Sequence, residues 1–563
     1  MNESETASAG GKNYADFSHD ELIAEIKRLN KYKKYGLVWE RKSEKVIDNF
    51  LHHYPYLDET IERRVKNSDS KKENIIIEGD NFDSLSILNY THAGKVDVIY
   101  IDPPYNTGNK DFVYNDSYVD IEDSFRHSKW LSFMEPRLKL AKNLLADDGV
   151  IFISIDDIEY AALKMLCDDI FGENAFVANC IWQSKYTISN DKSNNMSIQT
   201  EYILCYAKSN ASGVKFKSAP LREEYIKANY KNPDNDPNGD WMSVQMFKYK
   251  NPISYEVCSP TGKKWNLPWN FTPDSFRKLV DEGKVYWGND GNSCPRKKIY
   301  LKDSQGTSNK NLFLGTDVGF IAGSSAEMKN IFNEANIFPY TKPSSLIKHI
   351  ISLIKNPNAI VLDFFAGSGT TGQAVMELNA EDGSNRQFIL CTNNGDKSDS
   401  SVKIAEDITY IRNKTVITGV RKDGSKYSEG LPENLRYYKV EYLDKAPTID
   451  QNCERAAPYI SGILQLKENN FNLVAEGEDY DIFFNGDNYL VLVLNTFSQE
   501  KAIDKLKEMN KNLLPAKVYT FSYSRDSLEE DYELNFDIEF HSMPVDYLRS
   551  HKKIEDEIMR SRQ

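Results

Sequence analysis

From about residue 74 the chain alternates short apolar runs with stretches whose apolar residues recur every three or four positions. That pattern predicts a parallel sheet buried on both faces by crossover helices. Ile75-Ile76-Ile77 predicts a strand ending in Glu78-Gly79-Asp80-Asn81, and residues 96–101 predict a second, ending in Asp102-Pro103-Pro104-Tyr105. Met134, Leu138, Ala141 and Leu145 share one helical stripe that Gly149 is expected to stop, and residues 150–155 read as the next strand. The alternation lapses between about 213 and 335 and resumes near 336. There a helix over 346–354 and a strand over 359–362 lead into Asp363-Phe364-Phe365-Ala366-Gly367-Ser368-Gly369-Thr370-Thr371; another helix and a strand over 387–391 follow. The expected fold is a doubly wound, Rossmann-like α/β core interrupted by an insert and then completed.

The flanks read differently. Ser18-His19-Asp20-Glu21 has the form of a capping box ahead of Leu22, Ile23, Ile26 and Leu29, so a helix is expected to start there. The basic-aromatic stretch 31–35 after it reads as a solvated helix face. Residues 395–435 are polar and Gly/Ser-rich and are expected to be a loop-bearing connection. The segment 441–563 predicts a hairpin about Asn485-Gly486 and a helix over 498–509. The organisation expected is a helical extension (1–70), the catalytic half of the core (71–212), an insert (213–335), the cofactor half with its connection (336–440) and a C-terminal α/β domain for dimer or partner docking (441–563).

Charge sharpens this division. The chain carries a net charge of −14, which taken alone opposes a nucleic-acid partner. Yet residues 213–330 hold 18 Lys and Arg against 13 Asp and Glu, a balance of +5, interleaved with sixteen aromatic rings. The rest therefore carries −19. A basic, aromatic insert in an acidic protein is the composition of a nucleic-acid-reading surface. Residues 441–563 carry 14 basic and 24 acidic residues, which suits a protein partner better than DNA. Seven cysteines form no CxxC pair, which argues against a zinc cluster or disulfide framework and favours a reducing cytoplasm. Neither a membrane span nor a secretory signal is expected.

The turn from Phe365 to Thr371 runs from a strand into a helix, where backbone N–H groups and close approach serve a cofactor; a Cβ would block that approach. It lacks the Lys-Ser/Thr pair of a triphosphate loop. Gly367, Gly369 and Gly372 do fit a dinucleotide frame, but the next strand ends in Thr392-Asn393-Asn394 without the acid a ribose would want, so the glycines alone leave the adenosine cofactor open. The other strand end is more specific. Two prolines after an aspartate remove two N–H donors and leave carbonyls and a carboxylate facing the cleft. Such a site suits an exocyclic amino group, a donor, with Asp102 and the Pro103 carbonyl each accepting one N–H and Tyr105 offering a flat face. An isolated Pro-Pro turn with a core tyrosine would look the same; its position beside a cofactor-type turn favours chemistry.

Together, Asp102-Pro103-Pro104-Tyr105 and Phe365-Ala366-Gly367-Ser368-Gly369 resemble the catalytic and S-adenosylmethionine motifs of amino-group DNA methyltransferases. Their order around an insert resembles the β class. The stretches 35–40, 75–81, 99–108, 126–134 and 150–157 are similar to the modification subunit of type III restriction-modification systems, and Lys342-Pro343 is similar to that family's motif closing over the cofactor's methionine end. The resemblance covers roughly residues 20–395.

What the resemblance implies is N6-methylation of an adenine swung out of double-stranded DNA. Asp102, Pro103, Pro104 and Tyr105 would be catalytic, and no metal is involved. S-adenosylmethionine would be held by Asp80, Asn81, Asp102, Lys342, Asp363, Phe365, Gly367, Ser368, Gly369 and Thr370. For Asp80 a helix N-cap is as good a reading, and Asp363 also reads as a strand-end turn residue. No attacking thiolate is needed, and the chain has Cys294-Pro295 rather than the Pro-Cys order of C5-cytosine enzymes. The resemblance further implies a homodimer and a separate helicase-nuclease restriction (Res) subunit. An orphan regulatory methyltransferase and a non-catalytic DNA-binding subunit are the alternatives.

Overall fold

The structure is a computed structural model that describes residues 17–19, 22–23, 37–69, 71–109, 111–187, 196–248, 253–335, 337–339, 341–395, 402–523 and 534–562. It divides into two compact units, one of residues 1–215 with 311–563 and one of residues 216–310. The basic-aromatic stretch 31–35 and most of the helix expected from Ser18 lie outside the described residues; within it, the Leu22 N–H bonds the Ser18 carbonyl at 3.0 Å, one helical turn.

The larger unit is built on a ten-stranded sheet. Its elements in chain order are β1 (His53–Glu59), β2 (Glu73–Glu78), α1 (Asn81–Thr91), β3 (Val96–Ile101), α2 (Arg126–Leu144), β4 (Leu145–Ile155), α3 (Tyr160–Phe171), β5 (Phe176–Gln183), β6 (Thr200–Ala207), β7 (Leu312–Phe313), α4 (Ile321–Phe332), α5 (Ser344–Ser352), β8 (Ile360–Asp363), α6 (Thr370–Asp382), β9 (Gln387–Thr392), α7 (Tyr410–Thr418) and β10 (Asn434–Asp444). Across the sheet they run β1-β10-β2-β9-β8-β3-β4-β6-β5-β7. The six from β10 to β4 are mutually parallel, whereas β1 pairs antiparallel with β10, and β6 pairs antiparallel with β4 and β5. Ile75, Ile76 and Ile77, and Val98, Ile99 and Ile101, are fully buried, as strands covered on both faces must be.

The topology sets the place of any site. From β3 the chain crosses to β4 on one side, and from β8, the neighbour of β3, it crosses to β9 on the other. Right-handed crossovers taken in opposite directions put α2 and α6 on opposite faces and open a crevice beyond the carboxyl ends of β3 and β8. Accordingly α1 and α3 pack with α2, while α5 and α7 pack with α6.

Several expectations need correction. Gly149 does not end the helix: α2 stops at Leu144, and Gly149 lies inside β4, where a Cβ would stand 2.7 Å from the Val96 carbonyl. The segment 395–435 is not only a connection, because residues 404–409 form a π-helical turn that continues into α7. Residues 1–70 are not helical throughout, since β1 joins the sheet. Chain beyond Lys310 belongs to the larger unit, because Leu312 and Phe313 pair with Ile181 and Trp182 of β5.

The C-terminal part forms a five-stranded sheet from Leu473 to Pro544, in which the strands flanking Asn485-Gly486 pair antiparallel as a hairpin. Its neighbouring helices bury Ile463, Leu464 and Leu548 in the same apolar cluster as Ile75 and Ile77. The smaller unit has its own core of Met246, Val257, Trp269, Phe276, Val285 and Trp287. Among the described residues, no helix is long and apolar enough to cross a membrane.

Candidate active site

Val98 and Ile99 of β3 pair with Val361 and Leu362 of β8. This register brings Asp102, which follows the last residue of β3, and Asp363, the last residue of β8, to the same end of adjacent strands. The two expected motifs therefore share one crevice.

Around Asp102 the side chains form a small charged cluster. Lys342 Nζ lies 2.8 Å from each of its carboxylate oxygens. The Tyr105 hydroxyl lies 2.8 Å from Asp102 Oδ1 and 3.1 Å from Glu201 Oε2, with one hydrogen to share between them. Glu201 Oε2 is 3.5 Å from Lys342 Nζ, which also stands 5.0 Å from the centre of the Tyr105 ring. Proline after Lys342 keeps that residue extended, and Ser324 Oγ donates to the preceding Thr341 carbonyl at 2.7 Å. The site is thus not made of acceptors alone. Of the two prolyl carbonyls expected to face the cleft, that of Pro104 is taken by the indole N–H of buried Trp130 at 2.7 Å.

The electrostatics follow from burial and from two carboxylates facing one ammonium. Burial alone would push the Lys342 pKa down, but Asp102 and Glu201 outweigh it and hold it above its ordinary value. Burial and the same two acids raise the Tyr105 phenol well above its usual range, so the hydroxyl stays a donor. Asp363 is pushed up to about 7 by burial, with Asp102 adding to the rise; the Thr371 hydroxyl, 2.6 Å away, and the Phe365 N–H, 3.0 Å away, oppose it.

The glycine turn is held from behind. Gly367 and Gly369 adopt φ of 44° and 74°, the left-handed region that favours glycine. The Thr409 hydroxyl donates to the Gly367 carbonyl at 2.5 Å, and Asn413 Nδ2 lies 3.3 Å from the Gly369 carbonyl. Arg412, fully buried, donates to Ser368 Oγ at 3.2 Å, Thr370 Oγ1 at 2.6 Å and Gln373 Oε1 at 2.8 Å. On the open side, a Cβ at Gly367 would meet nothing closer than the Phe338 ring at 3.5 Å.

Asp80 is the N-cap of α1, accepting from the Phe82 N–H at 2.7 Å, and lies 3.2 Å from Arg137. Asn81 donates to the Phe364 carbonyl at 3.1 Å and accepts from Arg137 Nε. Arg137 itself is fully buried, forks onto both oxygens of Glu44 at 2.7 and 2.9 Å, and lies 3.9 Å from the Phe133 ring centre. Asn81 thus links the end of β2 to the β8 turn directly, and the buried guanidinium holds Asn81 and Asp80 in place.

Sequence reasoning missed Glu201, Trp130, Thr409, Arg412 and Asn413. Glu201 is the second residue of β6, an antiparallel strand outside the parallel pattern, where it pairs with Trp182 and its side chain reaches Tyr105 and Lys342. The Asx- and Thr-rich text around 409–413 resembles a loop because its polar side chains are there to hold another backbone.

A family model described as DNA methylase (N6_N4_Mtase) matches residues 96–407, from the first residue of β3 to beyond β9. The type III restriction-modification enzyme StyLTI Mod subunit of Salmonella typhimurium is 42% identical over 358 residues, which is 59% of this chain and 54% of that protein. The type III enzyme EcoP15I Mod subunit of Escherichia coli is 30% identical over 450 residues, 68% of this chain and 69% of that one. The type II methyltransferase M.KpnI of Klebsiella pneumoniae is 32% identical over 354 residues, 58% of this chain and 82% of that one. The chain spans about half the length of the StyLTI subunit and about two thirds of the EcoP15I subunit. A match that takes in both strand ends of the crevice and more than half of the residues establishes kinship: the chain belongs to the N6_N4_Mtase family of DNA methylases.

Proposed function

We propose that this chain is a site-specific DNA methyltransferase acting on N6 of an adenine rotated out of the duplex, with S-adenosylmethionine as donor, and that it is the modification and recognition subunit of a type III restriction-modification system. The observation that carries the reading is the placement of Asp102 and the Gly367–Gly369 turn at the ends of adjacent strands.

The residues present fit the cofactor. A Cβ on Gly367 would come no closer than van der Waals contact with the Phe338 ring, at 3.5 Å, and a strand-end carboxylate, Asp363, stands beside the turn. Asp363, Phe365, Gly367, Ser368, Gly369 and Thr370 would hold it, with Asp80 and Asn81 bracing the turn, and Lys342 would lie at the boundary with the target base. When bound, the cofactor supplies an electrophilic methyl group on a sulfonium.

The remaining work belongs to this chain. An exocyclic amino group is a donor and a weak nucleophile, so the protein must accept its N–H bonds, point its lone pair and exclude water. Asp102 accepts one N–H, the Pro103 carbonyl a second, and Tyr105 lies against the ring. Rotating the base out costs roughly a few kcal/mol, which contacts from residues 216–310 offset while choosing the sequence. That unit carries sixteen Lys and Arg against eleven Asp and Glu. Asp102→Ala is expected to abolish transfer of tritiated methyl groups to DNA while specific DNA binding persists; retained turnover would refute the acceptor role.

The proposed partners are double-stranded DNA, a second copy of the chain and a Res helicase-nuclease, in a reducing cytoplasm that suits seven free cysteines. The match across 82% of M.KpnI favours a second reading, a methyltransferase that needs no restriction subunit. Phe497, 92% exposed in the 3-10 turn Thr496–Ser498 of the C-terminal part, separates the two. Truncating 441–563 would cut into the shared core, whereas Phe497→Asp is expected to leave methylation intact and weaken capture of a co-expressed Res subunit.

A further inference from the structure

The acceptor oxygens of Asp102 are already engaged. A carboxylate offers about four lone-pair positions, and here Lys342 approaches both oxygens at 2.8 Å while Tyr105 approaches one of them. An exocyclic amino group is a weaker donor than an ammonium. It gains Asp102 only if the ammonium has somewhere else to go. Solvent is not that place, because the Lys342 side chain is 8% exposed and a buried charge must stay paired. Glu201 is within reach. Its Oε2 lies 3.5 Å from Lys342 Nζ and 3.1 Å from the Tyr105 hydroxyl, and its side chain is 13% exposed. Both donors now on Asp102 thus already face a second carboxylate on a different strand.

We infer that Glu201 is a positioning residue of the reaction, the carboxylate onto which Lys342 and the Tyr105 hydroxyl transfer when the target amino group takes Asp102. The inference rests on Asp102 being the acceptor for that amino group. The movement needed is small: closing 3.5 Å to the roughly 2.8 Å of a charge-assisted hydrogen bond takes less than an ångström of lysine side-chain motion. The backbone of Glu201 is fixed meanwhile, since that residue is paired with Trp182, and its neighbour Tyr202 with Ile155 on the other side. Lysine charge remains neutralised throughout, and Asp102 presents its full negative charge only when the substrate is there to use it. Tyr105 follows the same exchange, turning its single hydrogen from one acid to the other.

The test is steady-state transfer of tritiated methyl groups from S-adenosylmethionine to unmethylated genomic DNA by the full-length protein. Glu201→Gln keeps the shape and removes the charge that receives Lys342. It is expected to lower kcat by about tenfold or more while KM for the cofactor stays within about twofold, and Glu201→Asp to recover kcat to within about threefold of wild type. Wild-type kcat in Glu201→Gln, or Glu201→Asp as slow as Glu201→Gln, overturns the inference. So does a rise in KM and a fall in unfolding temperature of equal size in both variants, the mark of a merely structural acid. Should Glu201→Gln fail to fold, Glu201→Asp against Glu201→Asn makes the same comparison one methylene shorter. No transfer by the wild-type protein would sink the methyltransferase reading and this inference with it; transfer by wild type with an unaffected Glu201→Gln sinks this inference alone.

Discussion

The side-chain amide of Asn413 stands where a methyl group on Gly369 would have to go: a Cβ there would come within 2.6 Å of Nδ2. The same amide blocks a Cβ on Gly372, which would collide with Asn413 Oδ1. Gly369 in the turn and Gly372 in the first turn of α6 are therefore required by the helix behind them, and Gly367 by its backbone conformation.

Gly369→Ala is accordingly expected to cost more than its φ of 74° alone. The left-handed conformation costs an alanine about 1–2 kcal/mol, and displacing Asn413 breaks its bonds to the Gly369 and Thr409 carbonyls. Gly383→Ala is the control, with φ of 70° and nothing within 4 Å of its Cβ. Thermal unfolding should show the larger loss for Gly369→Ala, and calorimetric titration with S-adenosylmethionine should show an affinity loss of about tenfold or more for that variant alone.

The same comparison explains what could be read from the amino-acid order. Runs such as Ile75-Ile76-Ile77 and Val98-Ile99 declare their strands because parallel strands bury both faces, and the Asp102 and Gly367 motifs declare themselves because proline and glycine restrict the backbone wherever they occur. Arg412 gives no such signal. It is charged, yet it is fully buried, and its partners Ser368, Thr370 and Gln373, some forty residues earlier, with Glu327 at 3.4 Å, explain why. Glu201 was silent for a related reason: its meaning lies in Lys342, brought near by strand order rather than spacing. Gly149 reads as a helix stop, whereas α2 ends at Leu144 and the glycine serves close approach to the Val96 carbonyl.

Arg137 should be among the most costly side chains to remove. It pairs with Glu44 and Asp80 and holds Asn81, which in turn donates to Phe364 at the start of the glycine turn. Burial already raises the Glu44 pKa against the pull of Arg137. Arg137→Met strands that carboxyl, and breaking a buried pair costs about 3–5 kcal/mol. Chemical denaturation should register a loss of that order, and restoring neutrality with Glu44→Gln in the same chain should recover part of it.

Asp363 gives the fold a pH dependence with a definite sign. Its folded-state pKa of about 7 stands above the ordinary value of 3.8, so between those values the native state binds the extra proton. Stability from this group is present below about pH 4 and is lost as pH rises toward 7, on the order of a few kcal/mol. Asp363→Asn removes the titration while leaving an acceptor for the Phe365 N–H. Unfolding free energies measured from pH 4 to 8 should fall less steeply for the variant than for wild type; parallel profiles would assign the slope to other groups.

The smaller unit supplies a contrast between two lysines that look alike in the sequence. Lys263 is exposed, its Nζ 4.5 Å from the centre of the Trp265 ring. Lys298 is 6% exposed and holds Asp234 and Asp236 together. A cation spent on two internal carboxylates has little left for a phosphate, whereas an exposed ammonium that lies against a half-buried indole is free to make a backbone contact. Each phosphate neutralised contributes about 0.9 to the slope of log K against log salt. Lys263→Ala is therefore expected to weaken DNA binding and flatten that slope by about one phosphate contact. Lys298→Ala should leave the slope unchanged and lower the unfolding temperature instead, because Asp234 and Asp236 are then left facing each other. Binding isotherms at four or five salt concentrations, paired with thermal scans, separate the two; a slope that drops with Lys298→Ala and not with Lys263→Ala would refute Lys263 as a phosphate contact.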